Sequence, residues 1–94
     1  MDFQVVDNTE QQRFEIRVDG EQAGAAYYRL HPAEAGEPER IVFTHTEVDP
    51  KFEGKGVGSR LAGGALTLAK ESGLQIVAQC PFIAAYLKRH PEMA

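Results

Sequence analysis

The chain has 94 residues, 43% of them hydrophobic, with 14 acidic against 10 basic side chains and a formal charge of −4 at pH 7. That length points to one domain, residues 1–94, with a modest core, and the apolar content excludes a disordered chain. The acidic balance argues against a nucleic-acid binder, which would carry a basic stripe, and leaves room for a basic partner such as a lysine-rich peptide.

"DFQVVD" at the start reads as a short strand and "DNTEQQ" as a turn. The clearest local pattern is "RFEIRVDGEQAGAAYYRL", where Phe14, Ile16 and Val18 alternate with Glu15, Arg17 and Asp19 as in a strand with one buried face. Asp19-Gly20 suits a two-residue hairpin turn, because both positions tolerate positive φ. Pairing Val18 with Glu21 then predicts Ile16 opposite Ala23 and Phe14 opposite Ala25. Tyr27 and Tyr28 must point to opposite faces, so only one of them enters the core.

"HPAEAGEPE" carries the breakers Pro32, Gly36 and Pro38 and reads as a loop. "RIVFTHTEV" is a further strand, rich in β-branched and aromatic residues and ended by Asp49-Pro50. Simple alternation puts Ile41, Phe43, His45 and Glu47 on one face and Val42, Thr44, Thr46 and Val48 on the other. After a glycine loop, Val57, Leu61, Ala65, Leu68 and Ala69 recur at helical spacing up to a stop at Gly73. "LQIVAQC" is a short strand closed by Pro81, and "FIAAYLKRH" a last helix stopped by Pro91. A right-handed strand-helix-strand crossover makes "RIVFTHTEV" and "LQIVAQC" parallel neighbours. The expected fold class is therefore mixed α/β (α+β), with a twisted, largely antiparallel sheet and one parallel crossover.

Cys80 is the only cysteine, so no internal disulfide forms and a reducing compartment is expected. His31, His45 and His90 lie far apart and make no metal-ligand motif, so no metal is expected. No apolar run is long enough to cross a bilayer, and "MDFQVVDNTE" has neither the basic nor the apolar region of a signal peptide. A cytoplasmic protein without membrane or nucleic-acid partners is the expectation.

"FEGKGVGSRL" places three alternating glycines, Gly54, Gly56 and Gly58, where a helix begins. Such a loop offers backbone N–H groups to an anion, aided by the helix dipole. Two phosphate-binding signatures fail here. Lys55 is followed by Gly56, not by the Gly-Lys-Ser/Thr order of nucleotide hydrolases, and the third glycine of a dinucleotide fingerprint would fall on Ser59.

The string "VDPKFEGKGVGSRL" resembles the coenzyme A pyrophosphate loop of the GCN5-related N-acetyltransferases, with Glu53, Gly56 and Gly58 at its three fixed positions and Val48 and Pro50 at the preceding strand end. "HTEV", "CPF" and "AYLKRHPE" extend the likeness to the small single-domain branch of that superfamily, over roughly residues 11 to 92. The resemblance implies a minimal form of that fold and acetyl-coenzyme A bound where the two parallel strands splay. It implies that Gly54, Lys55, Gly56, Val57, Gly58 and Ser59, with Arg60, hold the pyrophosphate and that the Val48 backbone orients the pantetheine arm. It further implies acetyl transfer to an amine acceptor, such as a lysine of a basic protein or peptide, with Tyr86 in the place of an acid for the leaving thiolate.

Cys80 stands at the carboxyl end of a parallel strand, where ligands of open sheets gather. It is either a nucleophile that relays the acetyl group or a small buried hydrophobe. His45 and Glu47 share one face of the strand beside the cleft, and either can take a proton from an amine. Two departures stand out: Glu53 occupies a position usually held by Arg or Gln, and only a short turn joins the first two strands, where larger relatives carry helices. The chain also leaves no room for the usual final strands. The alternative expectation is a non-catalytic coenzyme A-binding or protein-interaction module on the same fold.

Overall fold

The computed structural model describes Met1–Ala94. Its single sheet runs β1 (Phe3–Asn8), β2 (Arg13–Val18), β3 (Glu21–His31), β4 (Arg40–Val48) and β5 (Gln75–Ala78), hydrogen-bonded in sequence order. The first three pairings are antiparallel and β4 with β5 is parallel, so the mixed α/β architecture read from the sequence is the one observed. Between β4 and β5 runs α1 (Val57–Glu71), and α2 (Pro81–Arg89) follows β5.

The Asp19-Gly20 turn takes positive φ at both positions, 50° and 85°, as the twist of a tight hairpin demands. The register beyond it differs from simple alternation. Val18 opposes Glu21 as expected, but Ile16 opposes Gly24 and Phe14 opposes Ala26, because a bulge between Ile16 and Arg17 leaves one extra residue in β3. Bulging here lets both Ala23 and Ala26 reach the core. Gly24 serves the next strand: a Cβ there would lie 2.7 Å from the Glu47 carbonyl oxygen.

A second bulge, between Tyr27 and Tyr28, pairs Tyr27 with His45 and Tyr28 with Phe43 and leaves Thr44 as the extra residue of β4. It corrects the face assignment of that strand. Ile41 and Phe43 enter the core. Past the bulge the core side passes to Thr46, which touches Cys80, and to Val48, which packs on the core cluster. His45 and Glu47 still share a face, but the one away from Phe43. Of the tyrosine pair, Tyr28 is the core residue.

Both helices cover the same side. Leu61, Ala62, Ala65 and Leu66 of α1 and Ile83 of α2 join Phe14, Ile16, Tyr28 and Phe43 in one buried cluster. Ala62 and Leu66 belong to it without having stood out in the periodicity. Helix α1 ends with Gly73 N–H on the Lys70 carbonyl and Leu74 N–H on the Ala69 carbonyl, the paired bonds of a glycine-stopped helix. Pro81 opens α2 at its first position, where a missing N–H costs nothing. The opposite face of the sheet carries no helix, since β1 and β2 are joined only by a turn over residues 9–12. No helix is long and apolar enough to cross a membrane.

Candidate active site

The glycine loop lies between a 3-10 turn at Pro50–Phe52, capped by the Asp49 carboxylate on the Lys51 N–H, and the start of α1. Gly54 and Gly56 have φ of 79° and 73°, and nothing stands within 4 Å of where a Cβ would be. They are glycines for backbone conformation, on an open surface. Gly58 has a different reason: a Cβ there would meet the Phe82 ring of α2 at 2.9 Å. The three alternating glycines thus answer two demands, a left-handed backbone and a close helix-helix approach.

The amides of Gly54, Lys55, Gly56, Val57, Gly58 and Ser59 donate to no atom of the chain. Arg60 makes the first bond, to the Gly56 carbonyl, and the helix has neither a side-chain cap nor an acidic residue in its first turn. Six consecutive free donors at the positive end of a helix dipole form a cradle for an anion, so these residues fit the pyrophosphate of coenzyme A. Gly54, Gly56, Val57, Gly58 and Ser59 line a hollow of about 220 Å³ together with Val48 and Glu53. Lys55 is exposed beside them. Ser59 and Gly56 also border a wider hollow of about 630 Å³ that continues to Arg60, Tyr86 and His90.

The second element is the splay. Pairing of β4 with β5 stops at Phe43 and Ala78. The amides of Gln79 and Cys80 then both donate to the Phe43 carbonyl, at 3.0 and 2.9 Å, and the chain turns into α2. From Thr44 to Val48, β4 continues with no strand on that side. Cys80 sits at the fork, 3% exposed, with its Sγ 3.3 Å from Thr46 Oγ1. Thr46 was not singled out in the sequence; the bulge at Thr44 turns it to this side.

The third element lies on the helix-free face. Glu47 Oε1 accepts from the Tyr27 hydroxyl at 3.1 Å, and Glu47 Oε2 lies 3.4 Å from His45 Nε2. The Tyr27 ring stacks on His45, with centroids 5.9 Å apart. Behind Tyr27 stands Arg13, whose Nη1 donates to the tyrosine oxygen at 3.0 Å and whose Nε donates to Glu15 at 2.7 Å. Glu15 is the one buried charged residue of the chain. The Asn8 amide and the Arg13 guanidinium hold its carboxyl below the usual carboxylate range against the opposing effect of burial. The Arg13 guanidinium is a permanent cation by its chemistry, and hydrogen bonds to Glu15 and Tyr27 raise it further.

The sequence-predicted residues therefore gather in two places. Val48, the loop and Cys80 lie at the splay or on the helix side, and His45 and Glu47 lie on the open face of the same strand. Tyr86 lies away from the splay and from the open face, on the wider hollow that Gly56 and Ser59 of the loop also border. Its hydroxyl would stand 2.7 Å from a Cβ on Gly63 of α1, and its ring stacks on His90 at 4.4 Å, bordering the wider hollow. Arg60 lies there too, with its guanidinium 4.2 Å from the Phe3 ring centroid. Arg13, Glu15 and Tyr27 were not predicted; strand alternation alone cannot show that three strands bring them into line. No group of three or more His, Cys, Asp or Glu side chains is placed to hold a metal. A further, mostly apolar cavity of about 210 Å³ lies by the far end of α1 against Phe14, Leu30, Leu68 and Leu74. It shares no lining residue with the glycine loop or the splay and is separate from this site.

Known structures share the fold. A ribosomal-protein-alanine N-acetyltransferase from Brucella melitensis biovar Abortus 2308 superposes with a TM-score of 0.64 at 21% identity, covering 87% of this chain and 60% of its own. An aminoglycoside acetyltransferase from an uncultured soil metagenomic sample, solved with trehalose, gives 0.62 at 17% identity, covering 86% of this chain and 55% of its own. The same enzyme with sisomicin gives 0.62 at 16% identity, covering 85% and 53%. At these identities the likeness is one of fold, and this chain spans little more than half the length of those proteins. No curated protein matches it in sequence. The sequence profile described as GCN5-related N-acetyl-transferase, however, matches residues 13–94, a span that takes in the sheet from β2 onward, the free-amide loop, the splay and both helices. On that match, with the fold and the loop geometry in agreement, the chain belongs to the GCN5-related N-acetyltransferase family.

Proposed function

We propose that the chain is an acetyl-coenzyme A-dependent N-acetyltransferase acting on an amine of a protein or peptide. The observation that carries this reading is the run of six unpartnered amides from Gly54 to Ser59 beside a parallel pair that parts. The amides hold the pyrophosphate, with Lys55 and Arg60 adding charge, and the free edge of β4 near Val48 orients the pantetheine arm. Bound there, acetyl-coenzyme A supplies an acyl carbon activated as a thioester. Holding that group beside an incoming amine removes much of the entropy cost of a bimolecular step.

Glu47, with His45 on its second oxygen, takes the proton from the amine as the base on the open face; as the nitrogen–carbon bond forms the carbon–sulfur bond breaks, and coenzyme A leaves as a thiolate that takes its proton from solvent. Transfer is direct: Cys80 is buried against Thr46, and we assign it to shaping the fork rather than to carrying the acetyl group. Tyr86, on the α1 side, is assigned to the cofactor hollow and not to protonation of the thiolate. The bare sheet face favours a large or flexible acceptor over a small molecule that needs an enclosing pocket. The acceptors named for the two structural neighbours, a ribosomal-protein alanine and aminoglycosides, are amines as well. We place the chain in the cytoplasm on the ground already given by its single cysteine.

The rival reading is a coenzyme A-binding module without turnover. Glu53, which lines the loop hollow and brings negative charge towards a pyrophosphate, favours it. Calorimetry with coenzyme A and acetyl-coenzyme A, followed by thiol release with a panel of amines and peptides, decides. Binding with release is expected. Binding without release supports the module, and no binding defeats both.

A further inference from the structure

We propose that Tyr27 is a positioning residue for the base: its hydroxyl, charged from behind by Arg13, holds the Glu47 carboxylate in the orientation that proton transfer requires. The inference rests on the assignment of Glu47 as base. Three residues stand directly opposite one another across three strands, Arg13 on β2, Tyr27 on β3 and His45 on β4. The bulge at Thr44 is what brings His45 into that row.

The direction of each hydrogen bond is fixed by chemistry. Arg13 Nη1 has only protons to give, so at 3.0 Å it donates to the Tyr27 oxygen. The tyrosine proton is then free for Glu47 Oε1, 3.1 Å away. A cation on its oxygen makes the hydroxyl a stronger donor. Arg13 cannot drift, because Glu15 binds its Nε at 2.7 Å and is itself buried under Asn8 and Arg17.

Glu47 is 57% exposed, and without this support it would sample many rotamers. With it, one carboxylate oxygen is engaged and the other faces His45 and the side from which an acceptor arrives. The Tyr27 ring stacks on His45, so one side chain contacts both Glu47 and its His45 neighbour. Simple sheet decoration would not require a buried carboxylate, a permanent cation and a tyrosine in series, ending on the two exposed residues beside the splay.

The test uses the full chain and thiol release with the best amine of a panel. Tyr27→Phe keeps the ring, its stacking on His45 and the Arg13–Glu15 pair, and removes one hydroxyl. We expect kcat to fall about tenfold, with KM for acetyl-coenzyme A and the affinity for coenzyme A unchanged and Tm within a few degrees. Adding Tyr27→Phe to Glu47→Gln should cost nothing further, since the hydroxyl acts through that carboxylate. The carbon resonance of the Glu47 carboxyl in labelled protein should move more than that of any other glutamate. Full kcat in Tyr27→Phe, an undiminished second loss in the double variant, or an unmoved Glu47 resonance each overturns the proposal. If Glu47→Gln loses activity and Tyr27→Phe does not, only the positioning role falls. If Glu47→Gln keeps full activity, or the unmodified chain turns over no amine, the base assignment fails and takes this proposal with it.

Discussion

Thr46 Oγ1 lies 3.3 Å from Cys80 Sγ at the point where β4 and β5 part. The contact ties the free end of one strand to the start of α2 just where the parallel pairing ends, and it buries the thiol on the helix side of the sheet.

Cys80→Ala should therefore lower stability by about 1–2 kcal/mol through a small cavity and leave acetyl transfer within about twofold. Thermal melts and thiol-release rates measure the two effects. An acetyl adduct on Cys80 under rapid quench, or loss of turnover with coenzyme A still bound, would restore the thiol as a relay.

The glycines of the loop should separate. Gly56→Ala forces a left-handed backbone on an alanine, costs about 1–2 kcal/mol, and weakens coenzyme A binding because the cradle shifts with it. Gly58→Ala meets the Phe82 ring, so it costs about 1–3 kcal/mol as overpacking, and trimming the ring with Phe82→Leu should recover most of that loss. Calorimetry and denaturation on the same variants check this. A Gly58→Ala protein of normal stability that no longer binds coenzyme A would show that ligand approach, and not the Phe82 ring, demands a glycine there.

Stability should hold a plateau across neutral pH and fall at both ends. The Glu15 carboxyl is lowered from its ordinary value of 4.5 by Asn8 and then Arg13. Its contribution is fully present above that value and is lost as pH falls through the lower folded value. Tyr28 is raised from its ordinary 10.0, chiefly by burial and then by its hydrogen bond to Asp7. Its contribution is complete below that value and is lost as pH rises above it. Unfolding followed against pH should show Glu15→Gln flattening the acid limb and Tyr28→Phe the alkaline one. Unchanged limbs in these variants would refute the assignments.

Acceptor choice should depend on charge near the splay and not on the acidic loop. Glu34, Glu37 and Glu39 precede β4, whereas Glu47 is near its other end. Eight strand steps put Glu39 roughly 25 Å from Glu47, well past the screening distance of about 8 Å. Replacing all three loop glutamates by glutamine should leave the rate with a lysine-rich peptide within about twofold. Raising the salt should still erode the preference for such a peptide over a small amine, through Glu47, Asp49 and Glu53. A preference indifferent to salt would remove the electrostatic account.

The elements themselves were legible in the sequence because alternation, turn chemistry and glycine punctuation all act locally. The β4 boundaries, the Asp19-Gly20 turn, the Gly73 stop and the parallel crossover followed from those signals. Two bulges did not, and they decide the faces. An extra residue at Thr44 changes no composition or periodicity measure, yet it turns Thr46 towards Cys80 and sets His45 opposite Tyr27. The glycine loop was recognisable as a helix entry with free amides, but Gly58 owes its identity to Phe82, a partner more than twenty positions away. The Arg13–Tyr27–Glu47 row was invisible for the same reason: it exists only after three strands are in register.

Adjacent glycines in the middle of α1 carry a consequence for how the protein folds. A Cβ on Gly63 would collide with the Tyr86 hydroxyl and one on Gly64 with Val5, so each admits a different neighbour, α2 on one side and β1 on the other. Interior glycines cost a helix about 1 kcal/mol each relative to alanine, and a 15-residue segment is already marginal alone in water. Helix α1 therefore has little reason to form before the sheet and α2 are there to receive it. Because the loop amides take their direction from the first turn of that helix, their alignment comes into being with the global fold and disappears with it, and a ligand bound to them, as proposed, would stabilise the whole chain by mass action.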